Sequence, residues 1–262
     1  MQPSPSTPAA APAGVIGVDK PSGWTSHDVV AALRATLRVK RVGHAGTLDP
    51  LATGLLPVLV GSATKFSNTL HRAPKVYAAR IVFGSETTTD DRGGTPRRAA
   101  APPSLDGADL DDALEPFRGE VAQIPPDFAA IKIEGRRAYD IARGGGQVHA
   151  EARIVTVHRL AIASWRSPSL RVLIVCGSGT YVRSLARDIG RALGSAAHLG
   201  ALRRLAVGAL RVEDAEELGR LRAAGAGGIL ARLRPADERL LELDRRYFDA
   251  DAEALLSGWE DA

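Results

Sequence analysis

Apolar residues recur along this chain with two different periods, and the switches between them mark out its elements. "GVIGVDK" (14–20) is a short apolar run ending in charge, the pattern of a buried strand. Thr25 then stands three residues before Asp28, a capping-box spacing, and Val29, Val30, Leu33 and Leu37 fall on one face of a helix over 25–38. "LLPVLVG" (55–61) is a strand-length piece containing a proline. "KVYAARIVFG" (75–84), "RIVTVHRLAIASW" (153–165) and "SLRVLIVCG" (169–177) have strand character. "GTYVRSLARDIGRALG" (179–194) returns to the helical period, with Val182, Leu185, Ile189 and Leu193 inward and Gly194 as a stop. Residues 85–108 read as a long polar connector. No internal repeat is present, and no βαβ rhythm points to a parallel sheet. The pattern predicts an α+β fold.

Composition narrows the class. With 262 residues, 45% of them hydrophobic, the chain can bury a substantial core. No apolar run approaches the ~20 residues that span a bilayer, so no membrane association is expected. "MQPSPSTPAAAPA" (1–13), proline-rich and uncharged, reads as a disordered leader and not as a secretion signal. Cys176 is the single cysteine, which excludes an internal disulfide and favours a reducing compartment. A cytoplasmic location is the expectation. The charge is split unevenly. Residues 236–262 hold nine acids and three arginines, a net −6, which leaves +10 on the preceding 235 residues. A body that basic suits a polyanionic partner.

Familiar cofactor signatures are missing. "GVIGVDKPSG" lacks the spacing of a phosphate-cradling loop. "CGSGTYVR" has Val182 where a dinucleotide fingerprint needs its third glycine, and Cys176 where a nucleophile elbow needs its first. The six histidines form no metal-ligand spacing with one another or with Cys176. Neither a cofactor nor a metal is expected.

The polar residues that remain sit on loops beside predicted strands. Asp49 lies in "GHAGTLDPLATG" (43–54), where an aspartate also serves simply to shape a turn. Lys20 and Pro21 end the first strand. Tyr77 sits within a strand, and Tyr181 and Arg183 open a helix. Two aromatic rings can sandwich a planar heterocycle. An arginine can grip a carboxylate at two points, and the carboxylate can act as nucleophile or proton acceptor.

In these residues the chain resembles the TruB family of tRNA pseudouridine-55 synthases. The resemblance runs from about residue 14 to 235. It rests on "DKPSGWTSHDVV", "VGHAGTLDPLATGLLPVLVGSATK", "KVYAARIVFG", "PPDFAAIKIEGRRAYDIAR", "CGSGTYVRSLARDIG" and "AHLGALRRLAVG", in the family's order. It implies a pseudouridine-synthase fold, with a central mixed, mainly antiparallel sheet flanked by helices and RNA-binding loops. The implied activity is the cofactor-free isomerisation of uridine 55 in the T arm of tRNA, by base flipping and an essential aspartate. By the same resemblance Asp49 is that carboxylate, Tyr77 stacks on the base and is a candidate for the later proton transfer from C5, and Arg183 pairs with Asp49. Tyr181 packs near the base, Leu202 walls the pocket, and His44 stacks against opened T-loop bases. Lys20 and Pro21 either brace the Asp49 loop or contact substrate. The step that Asp49 performs stays open between attack on C6, attack on C1′ and removal of a 2′ proton.

"AAIKIEGRRAYDIARGGGQV" (129–148) gathers Lys132, Arg136, Arg137 and Arg143 before and around three consecutive glycines, a segment suited to RNA phosphates. It falls where the family has a thumb over the T arm, here about 125–152. Ala129 replaces the serine usual in the family. Bacterial relatives append a small RNA-binding PUA module, yet only 27 residues follow Pro235. "LLELDRRYFDADAEALLSGW" looks like the opening strand and helix of that module, so 236–262 is expected to be a degenerate or truncated remnant, with reduced contacts to the acceptor arm. The expected partner is the tRNA T-arm stem-loop, bound by a monomer, with an accompanying role in tRNA folding. The main alternative is a noncatalytic RNA-binding or chaperone protein, to which Asp49 would not matter. A base-excising glycosylase would release free uracil. An RNA-guided synthase is disfavoured by the missing extensions.

Overall fold

A computed structural model describes residues 12–128 and 150–259, together with the backbone of Lys132–Ile133 and Arg136–Arg137. The strands in chain order are β1 (Gly14–Lys20), β2 (Val42–His44), β3 (Thr53–Val60), β4 (Lys75–Phe83), β5 (Ser85–Thr87), β6 (Pro96–Ala99), β7 (Gly119–Gln123), β8 (Lys132–Ile133), β9 (Arg136–Arg137), β10 (Arg153–Arg166), β11 (Ser169–Cys176), β12 (Ala197–Val207), β13 (Leu210–Arg211) and β14 (Glu216–Glu217). The longer helices are α1 (Ser26–Leu37), α2 (Ser67–Arg72), α3 (Gly107–Ala113), α4 (Val182–Ala192) and α5 (Leu218–Leu230).

One sheet organises the chain, in the order β14-β1-β3-β12-β4-β11-β10-β7, with β2 paired to β3 and β13 to β12. The pairs β1–β14 and β3–β12 are parallel, and the rest are antiparallel. The sheet is thus mixed and mainly antiparallel. The β4 strand lies in its middle and is covered on both faces, which explains its near-continuous apolar sequence. Tyr77, Ala79 and Ile81 face the larger core under α1 and α4. Val76 and Ala78 face a second cluster behind the sheet.

The helices dock by the faces their sequences predict. In α1 the Asp28 N–H donates to Thr25 Oγ1 at 3.0 Å and the Thr25 N–H donates to Asp28 Oδ2 at 2.9 Å, a closed capping box that contributes about 1 kcal/mol. Val29, Val30, Leu33 and Leu37 are buried, as are Leu185 and Ile189 of α4. No helix among the described residues is long and apolar enough to cross a membrane.

Two segments differ from expectation. Residues 85–108 are not an unstructured connector. They fold as the β5–β6 hairpin, bury Asp90 and Asp91, and lead into α3. Arginines from α4 draw the acids inward: Arg187 Nη1 donates to Asp90 Oδ2 at 2.6 Å. Among its described residues the tail forms no strand. Short helical turns at Glu238–Leu241, Arg246–Asp249 and Ala252–Leu255 lie against the body. Tyr247, Ala252 and Leu256 are buried against Val76, Ala78, Leu173 and Val175. Arg159 clamps this packing by donating to the Tyr247 and Ala250 carbonyls, each at 2.8 Å. Of the leader, Pro12 and Ala13 alone fall within the described residues.

Candidate active site

The Asp49 loop runs from β2 into β3 and is held mainly through its backbone. Gly46 (φ 90°) and Gly54 (φ 97°) adopt left-handed conformations that favour glycine. A Cβ at Gly54 would also come within 2.3 Å of the Arg204 carbonyl oxygen. From α1, Ser26 Oγ accepts from the Leu48 N–H at 2.8 Å and donates to the Leu48 carbonyl at 3.1 Å. The Gly23 N–H donates to the Pro50 carbonyl at 2.8 Å.

Lys20 is fully buried below this loop. Its Nζ donates to the carbonyls of Trp24 (2.7 Å), Pro21 (2.9 Å) and Pro50 (3.3 Å), which accounts for all three ammonium N–H groups. Burial pushes its pKa down to about 8, against the opposing pull of Asp49. Both residues brace the loop, Pro21 by giving its carbonyl to the same knot, and neither lines the cleft.

Above the loop lies a cleft of about 310 Å³, lined by Asp49, Tyr77, Tyr181, Arg183 and Leu202 together. Arg183 is 4% exposed and grips Asp49 at two points, Nε to Oδ2 at 2.8 Å and Nη2 to Oδ1 at 3.2 Å. The guanidinium is fixed in turn by the Thr89 carbonyl (3.0 Å), the Phe128 carbonyl (3.1 Å) and the Asp91 carboxylate (3.9 Å). Asp49 keeps a 32% exposed side chain that faces the cleft. Tyr77 presents a buried ring whose hydroxyl pKa is raised by desolvation, with Arg204 opposing the shift. At the α4 entrance, the Tyr181 N–H donates to Gln123 Oε1 at 2.7 Å, and the Arg153 guanidinium lies 4.7 Å from the Tyr181 ring centroid.

His44 is half-buried on β2 and stands outside the cleft lining. Burial, with Arg204 nearby, lowers its pKa, which keeps the ring neutral at pH 7. Lys132 and Arg137 face each other in the β8–β9 pair, next to Ile133 and Arg136. The side chains of Lys132, Arg136 and Arg137, and Arg143 and Ala129 altogether, lie outside the described residues.

Several cleft residues escaped the sequence reading: His71, Lys75, Arg153 and Arg204 line it, and Asp91 and Thr89 support Arg183. Arg204 carried a usable signal, since its charge stands inside a largely apolar strand, whereas Lys75 opens β4 directly after Pro74 and looks like an ordinary strand-end charge. Asp91 carried none, because its burial depends on Arg183, far away in sequence. Among the described residues no group of His, Cys, Asp and Glu is arranged to hold a metal ion. The arrangement offers a carboxylate held rigidly beside a buried aromatic ring, in a cleft large enough for one flat heterocycle.

Comparison with known proteins agrees with that chemistry. Residues 34–182 match the N-terminal domain model of the TruB family pseudouridylate synthases, and residues 183–240 match the tRNA pseudouridylate synthase B C-terminal domain model. A tRNA pseudouridine synthase B of Xanthomonas euvesicatoria is 45% identical over 219 residues, covering 84% of this chain and 71% of that protein. One of Thermobifida fusca is 46% identical, covering 80% and 74%. Among solved structures, a Cbf5-Nop10-Gar1 complex superposes with a TM-score of 0.66 at 27% identity, covering 85% of this chain and 60% of the matched one. An archaeal box H/ACA Nop10-Cbf5 complex gives 0.63 at 26%, covering 87% and 61%. The chain therefore spans about three-fifths of the Cbf5 chains it matches.

Proposed function

The chain belongs to the TruB family of pseudouridylate synthases, and from that premise we propose that it isomerises a uridine of tRNA to pseudouridine, its target being uridine 55 in the T arm. The relatives at 45–46% identity are named for tRNA, which supports that substrate over an RNA-guided one. The observation that carries the reading is the two-point grip of Arg183 on Asp49 at the floor of a cleft walled by Tyr77, Tyr181 and Leu202.

The reaction breaks the N1–C1′ bond, turns the base over and joins C5 to C1′. The proton lost from C5 is matched by one gained at N1, so atoms and electrons balance without a co-reactant. The target uridine must leave its stack, at a cost of a few kcal/mol, and enter the cleft. There Tyr77 offers a stacking face, Leu202 an apolar wall, and Asp49 the essential carboxylate beside the scissile bond. Arg183 fixes the direction of that carboxylate, and a group already held in place spends no energy on reorganisation during the reaction. The basic body supports phosphate binding, with Lys132, Arg136, Arg137 and Arg143 as its thumb contacts and His44 beside the opened loop. Action as a monomer is part of this reading, and the lone buried Cys176 fits a cytoplasmic setting.

RNA carrying tritium at uridine C5 tests the reading. An isomerase releases one tritium to water per uridine converted and frees no uracil. A glycosylase frees uracil, and a noncatalytic binder releases neither, so either result would overturn the proposal.

A further inference from the structure

Lys75 and Arg204 occupy the wall of the cleft beside Tyr77, and the reaction as outlined leaves them without a task. Their placement follows from the sheet. Lys75 lies two residues from Tyr77 on β4, on the same face and about 7 Å along the strand. Arg204 on β12 pairs directly with Tyr77. Both side chains are buried, at 5% and 1% exposure. Lys75 Nζ donates to the carbonyls of Ala73 (2.7 Å) and His71. Arg204 donates to the carbonyls of Leu55 (2.8 Å), Gly46 (3.0 Å) and Thr47 (3.5 Å). These acceptors are all neutral, and among the described residues no carboxylate pairs with either cation. Carbonyl oxygens satisfy donors but cancel no charge. Two buried cations without an anion are expensive to keep. The surroundings press the same way, since desolvation and the nearby Arg204 both disfavour the Lys75 ammonium.

We propose that Lys75 and Arg204 receive the polar edge of the flipped uracil and stabilise the negative charge that its carbonyl oxygens carry while the base is detached. The inference rests on the isomerase reading above. When N1–C1′ breaks, the bonding pair leaves with the base and spreads over the ring onto O2 and O4. When C5 attacks C1′, that pair becomes the new bond. A base stacked on Tyr77 presents its edge to the residues flanking Tyr77, which are Lys75 along the strand and Arg204 across it. Fixed cations in a water-poor cleft act on such a transient charge without reorganising. Lys75 and Arg204 are catalytic residues in this scheme, because they touch the reacting base.

Lys75 is the better residue to test, since Arg204 also anchors the Asp49 loop. Its neighbours that titrate or carry charge are His71 on α2, Tyr77 on its own strand, Cys176 on β11 and Arg204 on β12. Lys75 has a pKa near 8 in the free protein, so kcat/KM on a T-arm stem-loop should fall as pH rises past about 8. Lys75→Arg keeps a cation at every accessible pH and should remove that fall while retaining most of the rate at pH 7. Lys75→Met should lower the single-turnover rate roughly 100-fold, with RNA affinity within about threefold. A Lys75→Met rate within threefold of wild type overturns the proposal. So does a wild-type profile flat from pH 7 to 9, or a fall that persists unchanged in Lys75→Arg. If Lys75→Met does not fold, the two pH profiles decide alone. Wild-type protein that makes no pseudouridine refutes the reaction itself. Turnover by wild type with undiminished Lys75→Met refutes only the role of Lys75.

Discussion

Arg183 reaches Asp49 across 134 residues of chain and holds both carboxylate oxygens, through Nε at 2.8 Å and Nη2 at 3.2 Å. Further guanidinium contacts go to the Thr89 and Phe128 carbonyls and the Asp91 carboxylate, so one planar group ties four segments together at the site. Lysine carries the same charge but cannot reproduce that fork. Both Arg183→Lys and Arg183→Met should lower single-turnover activity by about 100-fold or more, within the range that a misplaced catalytic group costs. Stability should fall by about 3 kcal/mol at most, since Asp49 is one-third exposed. Rates and urea unfolding measured on both variants check this, and a lysine variant near wild-type rate would leave Arg183 only a charge-balancing part.

Lys20 supports the same loop from beneath. Lys20→Met strands the Pro21, Trp24 and Pro50 carbonyls and should cost about 1–3 kcal/mol, with kcat falling more than RNA affinity. Its folded pKa of about 8 lies below the usual 10.5. Below pH 8 the ammonium is charged in both states and the full burial cost stands. Between 8 and 10.5 the unfolded chain binds more protons, so this group's contribution to stability improves as pH rises. The stability difference between wild type and Lys20→Met should therefore grow from pH 8 to pH 10. Paired urea titrations across that range read it directly, and a constant difference would remove Lys20 from the titration.

Much of the scaffold could be read from periodicity. The Thr25–Asp28 box, the α1 and α4 faces and strands β4, β10 and β11 follow local rules of spacing and capping. The candidate site became legible through six ordered sequence blocks, because Asp49, Tyr77 and Arg183 have no local feature that joins them. What stayed hidden depends on partners distant in sequence. Asp90 and Asp91 look solvated in "TTTDDRGG" and are buried only because Arg183 and Arg187 come to them. The β1–β14 and β3–β12 parallel pairs leave no βαβ rhythm, since each joins strands far apart in the chain. The tail's few apolar residues fit too short a span to show a period, yet they complete the back of the sheet.

The packing of the tail bears on stability, because Tyr247 is 1% exposed and packs behind β4 against Val76 and Ala78, which alternate with Lys75 and Tyr77. Tyr247→Ala should cost about 3–5 kcal/mol. Deletion of residues 240–262 should lower the unfolding midpoint further and reduce activity with it. Thermal and urea unfolding of both forms test this, and unchanged stability on deletion would mean that the tail does not pack on the body in solution.

The RNA contacts proposed for the thumb are electrostatic. Binding of a T-arm stem-loop should weaken steeply with salt, and replacing Arg136 and Arg137 by glutamine should flatten the slope of log K against log salt by about one to two units. An unchanged slope would place the phosphate contacts elsewhere on the body.

The most direct measurement is carbodiimide-dependent primer extension on an unmodified T-arm stem-loop incubated with wild type or with Asp49→Asn. The amide keeps the shape of the side chain and removes its charge and nucleophilicity. Wild type should give a stop at the uridine equivalent to position 55. Asp49→Asn should give none, while its RNA affinity stays within about tenfold, roughly 1.4 kcal/mol. No stop with wild type, or a stop at more than a few per cent of wild-type intensity with Asp49→Asn, would contradict the assignment of this cleft as an aspartate-dependent uridine isomerase.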